Sequence, residues 1–189
     1  ALAADPDHAE AHFALAETLR ELGQEDEAGG HYARAVALDP DNAGFRLGVC
    51  MAALPVITQT EAEEAAAPGR FAAALADLGA WAATPDRLVA LGGVVGQTQP
   101  FLLAYREGDH TEPLRRYGDL VCRARAAWFA QRFQAPAVPP ARVRRRLVVV
   151  SGHLRRHSVW DVLVHGVLRR LDRSRFEVIV YHTVAGADG

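Results

Sequence analysis

The chain has 189 residues, 50% hydrophobic and 23% charged, with a formal net charge of −2. That apolar content can bury one sizeable core or two small ones, and it excludes an intrinsically disordered chain. No apolar run approaches the roughly 18 residues that a membrane-spanning helix needs, and the opening Ala1-Leu2-Ala3-Ala4-Asp5-Pro6 lacks the basic start of a secretory signal. The expectation is a cytoplasmic protein with no membrane partner, and the missing initiator Met suggests a piece of a longer chain. Cys50 and Cys122 stand far apart and outside any CxxC or Cys/His cluster, which argues against a disulfide framework and a zinc ribbon. The small net charge hides a polarity. Residues 1–64 carry thirteen acids against three Arg, whereas residues 132–175 carry eleven Arg against two acids. The two ends therefore read as different modules. The basic stretch is not interleaved with aromatic residues, so a solvated linker and helix face is expected there, with no nucleic-acid partner.

Along the chain, Asp5-Pro6-Asp7 recurs as Asp39-Pro40-Asp41, an offset of 34 residues. This is the period of the tetratricopeptide helical hairpin, and Leu15, Ala16, Leu19, Gly23, Ala28, Tyr32, Ala35 and Pro40 fall at its pattern positions. Helix A is predicted over residues 9–22, with Phe13, Ala16, Leu19 and Leu22 along one side, closed by Gly23 in the left-handed conformation. Helix B is predicted over residues 25–38, where small Ala28 and Ala35 allow close approach and Tyr32 fills the space between. One hairpin cannot bury its own apolar face, so residues 1–42 are read as the end of a repeat array.

Residues 43–134 keep a helical pattern without the repeat and are read as a helical connector. Helices are predicted over 45–54, 61–78 and 114–133, separated by Pro55, by Pro85 and by a Gly-rich stretch running from Gly92-Gly93 to Gly96-Gln97-Thr98-Gln99-Pro100. Thr60-Glu61-Ala62-Glu63 has the form of a capping box. The Gly-rich stretch lacks the spacing of a phosphate loop and is expected to be a turn or extended connection.

Residues 135–146 form a linker rich in Pro and Arg, since three prolines in five positions cannot continue a helix. From residue 147 the pattern changes to β-α-β. Leu147-Val148-Val149-Val150 is a short run that a parallel sheet would bury on both faces. A loop over 151–157, an apolar-periodic helix over 159–171 and a second strand over 176–181 follow. The fold class expected is mainly α, followed by the first βαβ unit of a Rossmann-like domain over residues 147–189.

Ligands of open α/β sheets bind at the carboxyl ends of the strands, beside helix N-termini. Here those positions are Ser151, Gly152, His153, Arg155, Arg156, His157 and Ser158, with His182-Thr183 after the second strand. Ser158 with Asp161 has the form of a capping box, which would hold His157 at the mouth of the helix, where an imidazole can contact a bound hydroxyl or phosphate. His153 and His157 have His-x3-His spacing, but a metal reading needs both on one helix face with a third ligand, so no metal is expected. Arg155 and Arg156 could position an anion or simply face water.

Leu54-Pro55-Val56-Ile57 with Glu61-Ala62-Glu63, Gln99-Pro100-Phe101-Leu102-Leu103-Ala104-Tyr105 with Arg116-Tyr117-Gly118, and Val149-Val150-Ser151-Gly152-His153 with His157-Ser158-Val159-Trp160 together carry a resemblance. So does the tail from Leu171-Asp172-Arg173 to Tyr181-His182-Thr183. The chain resembles the bacterial and SPINDLY-like O-linked N-acetylglucosamine transferases, and these pieces cover nearly its whole length. The resemblance implies a GT-B glycosyltransferase that moves a sugar from a nucleotide sugar to Ser or Thr of protein acceptors recruited by the repeats. It implies no cofactor and no required metal, and a donor-binding half in a C-terminal domain outside these 189 residues, so that they alone are inactive. His157 matches the family's active-site histidine, while Ser151, Gly152, His153, Arg155, Arg156 and Ser158 are the expected substrate-binding positions. His153, Leu154 and Ser158 depart from the commonest family pattern, which leaves GDP-fucose as an alternative donor to UDP-N-acetylglucosamine. A non-catalytic tetratricopeptide interaction scaffold is the alternative from another class.

Overall fold

The computed structural model describes residues 2–134 and 143–183. The chain divides into two compact units, Ala1–Ala135 and Pro136–Gly189. The first is all helical and the second is a parallel β-α-β unit, so the fold is mainly α with a small parallel sheet after it. Residues 135–142, most of the expected linker, lie outside the described residues, as do 184–189.

In the helical unit, α1 (Ala9–Glu21) and α2 (Glu25–Leu38) form the predicted hairpin. Gly23 has φ +75°, and around it the N–H of Gln24 reaches Leu19 O at 2.9 Å while the N–H of Gly23 reaches Arg20 O at 3.0 Å. These two bonds satisfy carbonyls that the end of a helix would otherwise leave bare. Ala16, Leu19, Ala28, Tyr32 and Ala35 are buried as the repeat pattern requires. Leu22 is not: it follows the last helical residue and is 68% exposed. The close approach predicted at the small residues is real, because Ala28 and Ala35 are almost fully enclosed.

The next helix, α3 (Ala43–Ala52), starts two residues earlier than its apolar pattern suggests, because Asn42 Oδ1 accepts from the N–H groups of Gly44 and Phe45. In α4 (Glu61–Trp81), Thr60 caps as predicted, with its hydroxyl accepting from Glu63 N–H at 3.2 Å. The reciprocal bond shifts by one residue, since the Glu63 carboxylate accepts from Gln59 N–H at 2.7 Å. The helix runs through Pro68, which supplies no backbone donor to the preceding turn. The Arg70 guanidinium donates to Glu63 O at 3.4 Å, the carbonyl one residue before the Glu64 carbonyl that Pro68 cannot reach.

The Gly-rich stretch corrects the sequence reading. Pro85 does not merely separate elements; it begins α5 (Pro85–Val94), with its missing N–H at a position that has no helical partner anyway. Gly92 and Gly93 lie inside this helix, not in a turn, and at Gly92 a neighbouring helix leaves no room for a side chain. A Cβ on Gly92 would sit 2.1 Å from Ala124 O and 2.6 Å from Trp128 Cβ on α6 (Thr111–Arg132). The helix ends at Val94, the turn after it contains Gly96 at φ +98°, and a 3-10 turn at Phe101–Tyr105 follows. Phe71, Leu47, Leu54, Leu91, Leu103 and Cys50 are the largest enclosed side chains of the core shared by these helices.

In the second unit, β1 (Arg145–Ser151) and β2 (Phe176–His182) pair in parallel, with Leu147 opposite Val178 and Ser151 opposite His182. Burial alternates along β1: Leu147 and Val149 are half-buried, while Val148 and Val150 are 46% and 61% exposed. The strand is therefore covered on one face among the described residues, not on both as its composition suggests. Between the strands, the expected single α-helix is a π-helical turn, Val159–Val164, followed by α7 (His165–Arg170). The His165 N–H bonds to Trp160 O, five residues back. The wider turn brings those two side chains to the same side, and their rings stack with centroids 5.5 Å apart.

Candidate functional site

The candidate site is the pair of strand ends and the loop between β1 and the helical segment. Ser151 and His182 face each other as the last register pair. The Ser151 hydroxyl accepts from His153 N–H at 3.0 Å, and Thr183 N–H donates to Ser151 O at 3.3 Å. His182 Nε2 lies 3.3 Å from Gly152 O, to which it can only donate. These contacts tie the loop's first residues to the end of β2. They bring Ser151, Gly152, His153 and His182 together.

His157 joins them through His153, since the two rings stack with centroids 4.2 Å apart at 18°. Stacked rings direct their in-plane lone pairs into parallel planes, not toward one point. Among the described residues, no group of three or more His, Cys, Asp or Glu is placed to hold a metal ion.

The predicted Ser158 capping box is not formed. Ser158 already has helical backbone angles, φ −54° and ψ −37°, and its side chain makes no capping bond; a capping residue needs extended angles to aim its oxygen at the first turn. The role falls one residue earlier. His157 Nδ1 accepts from Val159 N–H at 3.2 Å, and Asp161 N–H donates to His157 O at 2.9 Å. His157 is thus held at the helix mouth, as expected, by its own ring instead of by its neighbour's cap. It is half-buried, as are Ser151 and Gly152, whereas His153, Arg155, Arg156 and Ser158 are exposed. At the entrance to β2, the Asp172 carboxylate accepts from the hydroxyl and N–H of Ser174, which hold its pKa below the ordinary carboxylate range.

The helical unit holds a second constellation that the sequence reading did not single out. Phe13 stacks on Phe45, centroids 4.8 Å apart, and meets Tyr32 edge-on at 5.5 Å. Behind them the Glu17 carboxylate accepts from the Tyr32 hydroxyl and from Arg20 Nη2. Burial first, and then the bond to Glu17, push the Tyr32 phenol well above its ordinary pKa. Phe13, Glu17, Arg20, Phe45, Gln97 and Thr98 line a pocket of 350 Å³. The 34-residue period marks the helices but not this pocket, because Gln97 and Thr98 come from the connector, some fifty residues on.

Residues 9–42 match the family model described as Tetratricopeptide repeat. The α1–α2 hairpin carries a tetratricopeptide repeat. No curated protein matches the chain. Among solved structures, a mutant of the Thermobaculum terrenum O-GlcNAc transferase is similar at 23% identity and a TM-score of 0.46, over 99% of this chain and 33% of that one. The chain thus spans about a third of that structure's length. No helix among the described residues is long and apolar enough to cross a membrane.

Proposed function

We propose that the chain is part of a protein O-glycosyltransferase, in which the tetratricopeptide hairpin helps recruit protein acceptors and the β-α-β unit opens a GT-B catalytic region. In this reading the oxygen of an acceptor Ser or Thr hydroxyl bonds to C1 of the sugar, the bond from C1 to the nucleotide diphosphate breaks, and the hydroxyl proton leaves to water. UDP-N-acetylglucosamine is the expected donor, and the donor-binding half lies outside residues 1–189. The observation that carries the reading is the placement of His157, fixed by Val159 N–H at a helix mouth beside the ends of two parallel strands, in a chain that also carries a tetratricopeptide repeat.

Within this reading the hydrogen bond supports a donor role for His157. Its Nδ1 lone pair is engaged by Val159 N–H, so in the neutral ring the hydrogen resides on Nε2. A ring in that tautomer donates to a substrate oxygen; it does not abstract a proton through Nε2. In the proposed reaction His157 donates a hydrogen bond toward substrate, and Arg155 and Arg156 supply positive charge near the same loop.

The test uses the full-length natural protein. Calorimetry with UDP-N-acetylglucosamine and GDP-fucose identifies the donor, and binding of neither would leave an interaction scaffold instead of an enzyme. Replacing His157→Ala is expected to lower transfer about 10²-fold, while His157→Gln, which retains an N–H near the position of Nε2, should recover part of the loss. Equal loss in both variants would refute the donor role, and unchanged turnover in His157→Ala would remove the residue from the reaction.

A further inference from the structure

We propose that His153 is a positioning residue for His157: it acts through the face of its imidazole, which fixes the plane in which His157 presents its Nε2–H, and not through contact with substrate. The inference rests on the glycosyltransferase reading for what His157 does, and on geometry alone for what holds it. Val159 N–H, 3.2 Å from His157 Nδ1, decides which way round the ring sits. The torsion that turns an imidazole is broad and roughly two-fold, so one contact in the ring plane holds it loosely. The second restraint acts across that plane. The rings of His153 and His157 stack with centroids 4.2 Å apart at 18°, and to turn edge-on His157 would drive its rim into the face of His153.

A stacked ring positions its neighbour only if it is itself held. The His153 N–H donates to the Ser151 hydroxyl at 3.0 Å. Ser151 is the last residue of β1 and pairs with His182 at the end of β2, and its carbonyl accepts from Thr183 N–H. Gly152 O accepts from His182 Nε2 at 3.3 Å. Both residues that precede His153 are thus tied to β2, and His157 is tied to the helix mouth by Val159 and Asp161. The stack joins these two anchored segments across the loop between them. It also gives His153 a different part from the substrate contact that its place after the first strand suggests.

The test separates the ring face from the ring nitrogens. His153→Phe keeps an aromatic face without a nitrogen, whereas His153→Ala removes both; His153 is exposed, so neither change removes core packing. In the full-length natural protein, His153→Ala should lower kcat about two- to tenfold with little change in KM, the scale of one aromatic contact. His153→Phe should recover most of that loss. In a His157→Ala background, His153→Ala should cost nothing further, because it acts only through that ring. Histidine-labelled NMR of the same protein reads the placement without turnover. The ring-proton signals of His157, assigned by their loss in His157→Gln, should lie upfield in the wild type, move toward the position of a free histidine in His153→Ala, and stay displaced in His153→Phe. Full activity in His153→Ala, equal loss in His153→Phe and His153→Ala, additive losses in the double variant, or undisplaced His157 signals in the wild type would each overturn the proposal. A full-length protein that transfers no sugar refutes the glycosyltransferase reading by itself, and the NMR comparison then decides the positioning.

Discussion

Adding one methyl group at Gly92 should destabilise the helical unit even though it improves the intrinsic helix propensity of α5. Alanine is favoured over glycine inside a helix by about 0.8–1 kcal/mol. Against that gain, the new Cβ would meet Ala124 O at 2.1 Å and Trp128 Cβ at 2.6 Å. The first is a backbone atom in the middle of α6, so no side-chain rotation relieves it. An ordinary contact begins near 3.4 Å, and α5 would have to withdraw by about 1.3 Å, loosening Leu91 in the core and the Arg125 bond to Gly92 O. Overpacking costs about 1–3 kcal/mol and occasionally more. A rigid clash between two helices belongs at the upper end, which leaves a net loss of about 2 kcal/mol after the propensity gain. For a chain of this size that is a fall of about 4–8 °C in melting temperature. Gly30, exposed on α2 with nothing within 4 Å of its would-be Cβ, is the control: Gly30→Ala should raise the melting temperature by about 2–3 °C. Circular dichroism melts of the two variants should therefore move in opposite directions. Gly92→Ala melting at or above the wild-type temperature would refute the packing argument.

Ser158→Ala should leave the stability of the β-α-β unit within about 0.5 kcal/mol, because Ser158 makes no capping bond; a loss above 1 kcal/mol in a chemical melt would restore it as the cap. Cys122 is exposed, whereas Cys50 is enclosed and its thiol is pushed up to about 12, by burial first and then by Asp77. Maleimide should accordingly give one rapid adduct at Cys122 by peptide mass mapping, with Cys50 labelled only on unfolding; rapid labelling of both thiols would contradict the described core. Glu112, in the first turn of α6, is held down to about 2 from its ordinary 4.5 by hydrogen bonds from Arg115 and then Arg116. A depressed carboxylate pKa stabilises the fold above its unfolded value, and that contribution disappears as pH falls from about 4.5 through about 2. Wild type should melt slightly above Glu112→Gln at pH 7 and together with it near pH 2; a gap that widens on acidification would reverse the sign.

The sequence by itself determined what is local in the chain. The 34-residue period, the left-handed Gly23 and the small Ala28 and Ala35 define the hairpin, because helical periodicity and turn chemistry act over a few residues. The β-branched runs at Leu147–Val150 and Phe176–Tyr181 define two strands, and their connection makes them parallel. In the candidate site, the positions of Ser151, Gly152, His153 and His157 after the first strand were readable on the same ground. Tertiary structure decided the rest, because it depends on which surfaces meet. Gly92 and Gly93 look like a turn until α6 is laid against them, when the lack of a side chain at Gly92 becomes the condition for packing. Ser158 looks like a cap until the backbone enters the helix one residue early and leaves that task to His157. His12 and His31, 19 residues apart, carry no mutual signal in the sequence; only the hairpin brings their nitrogens within 2.8 Å.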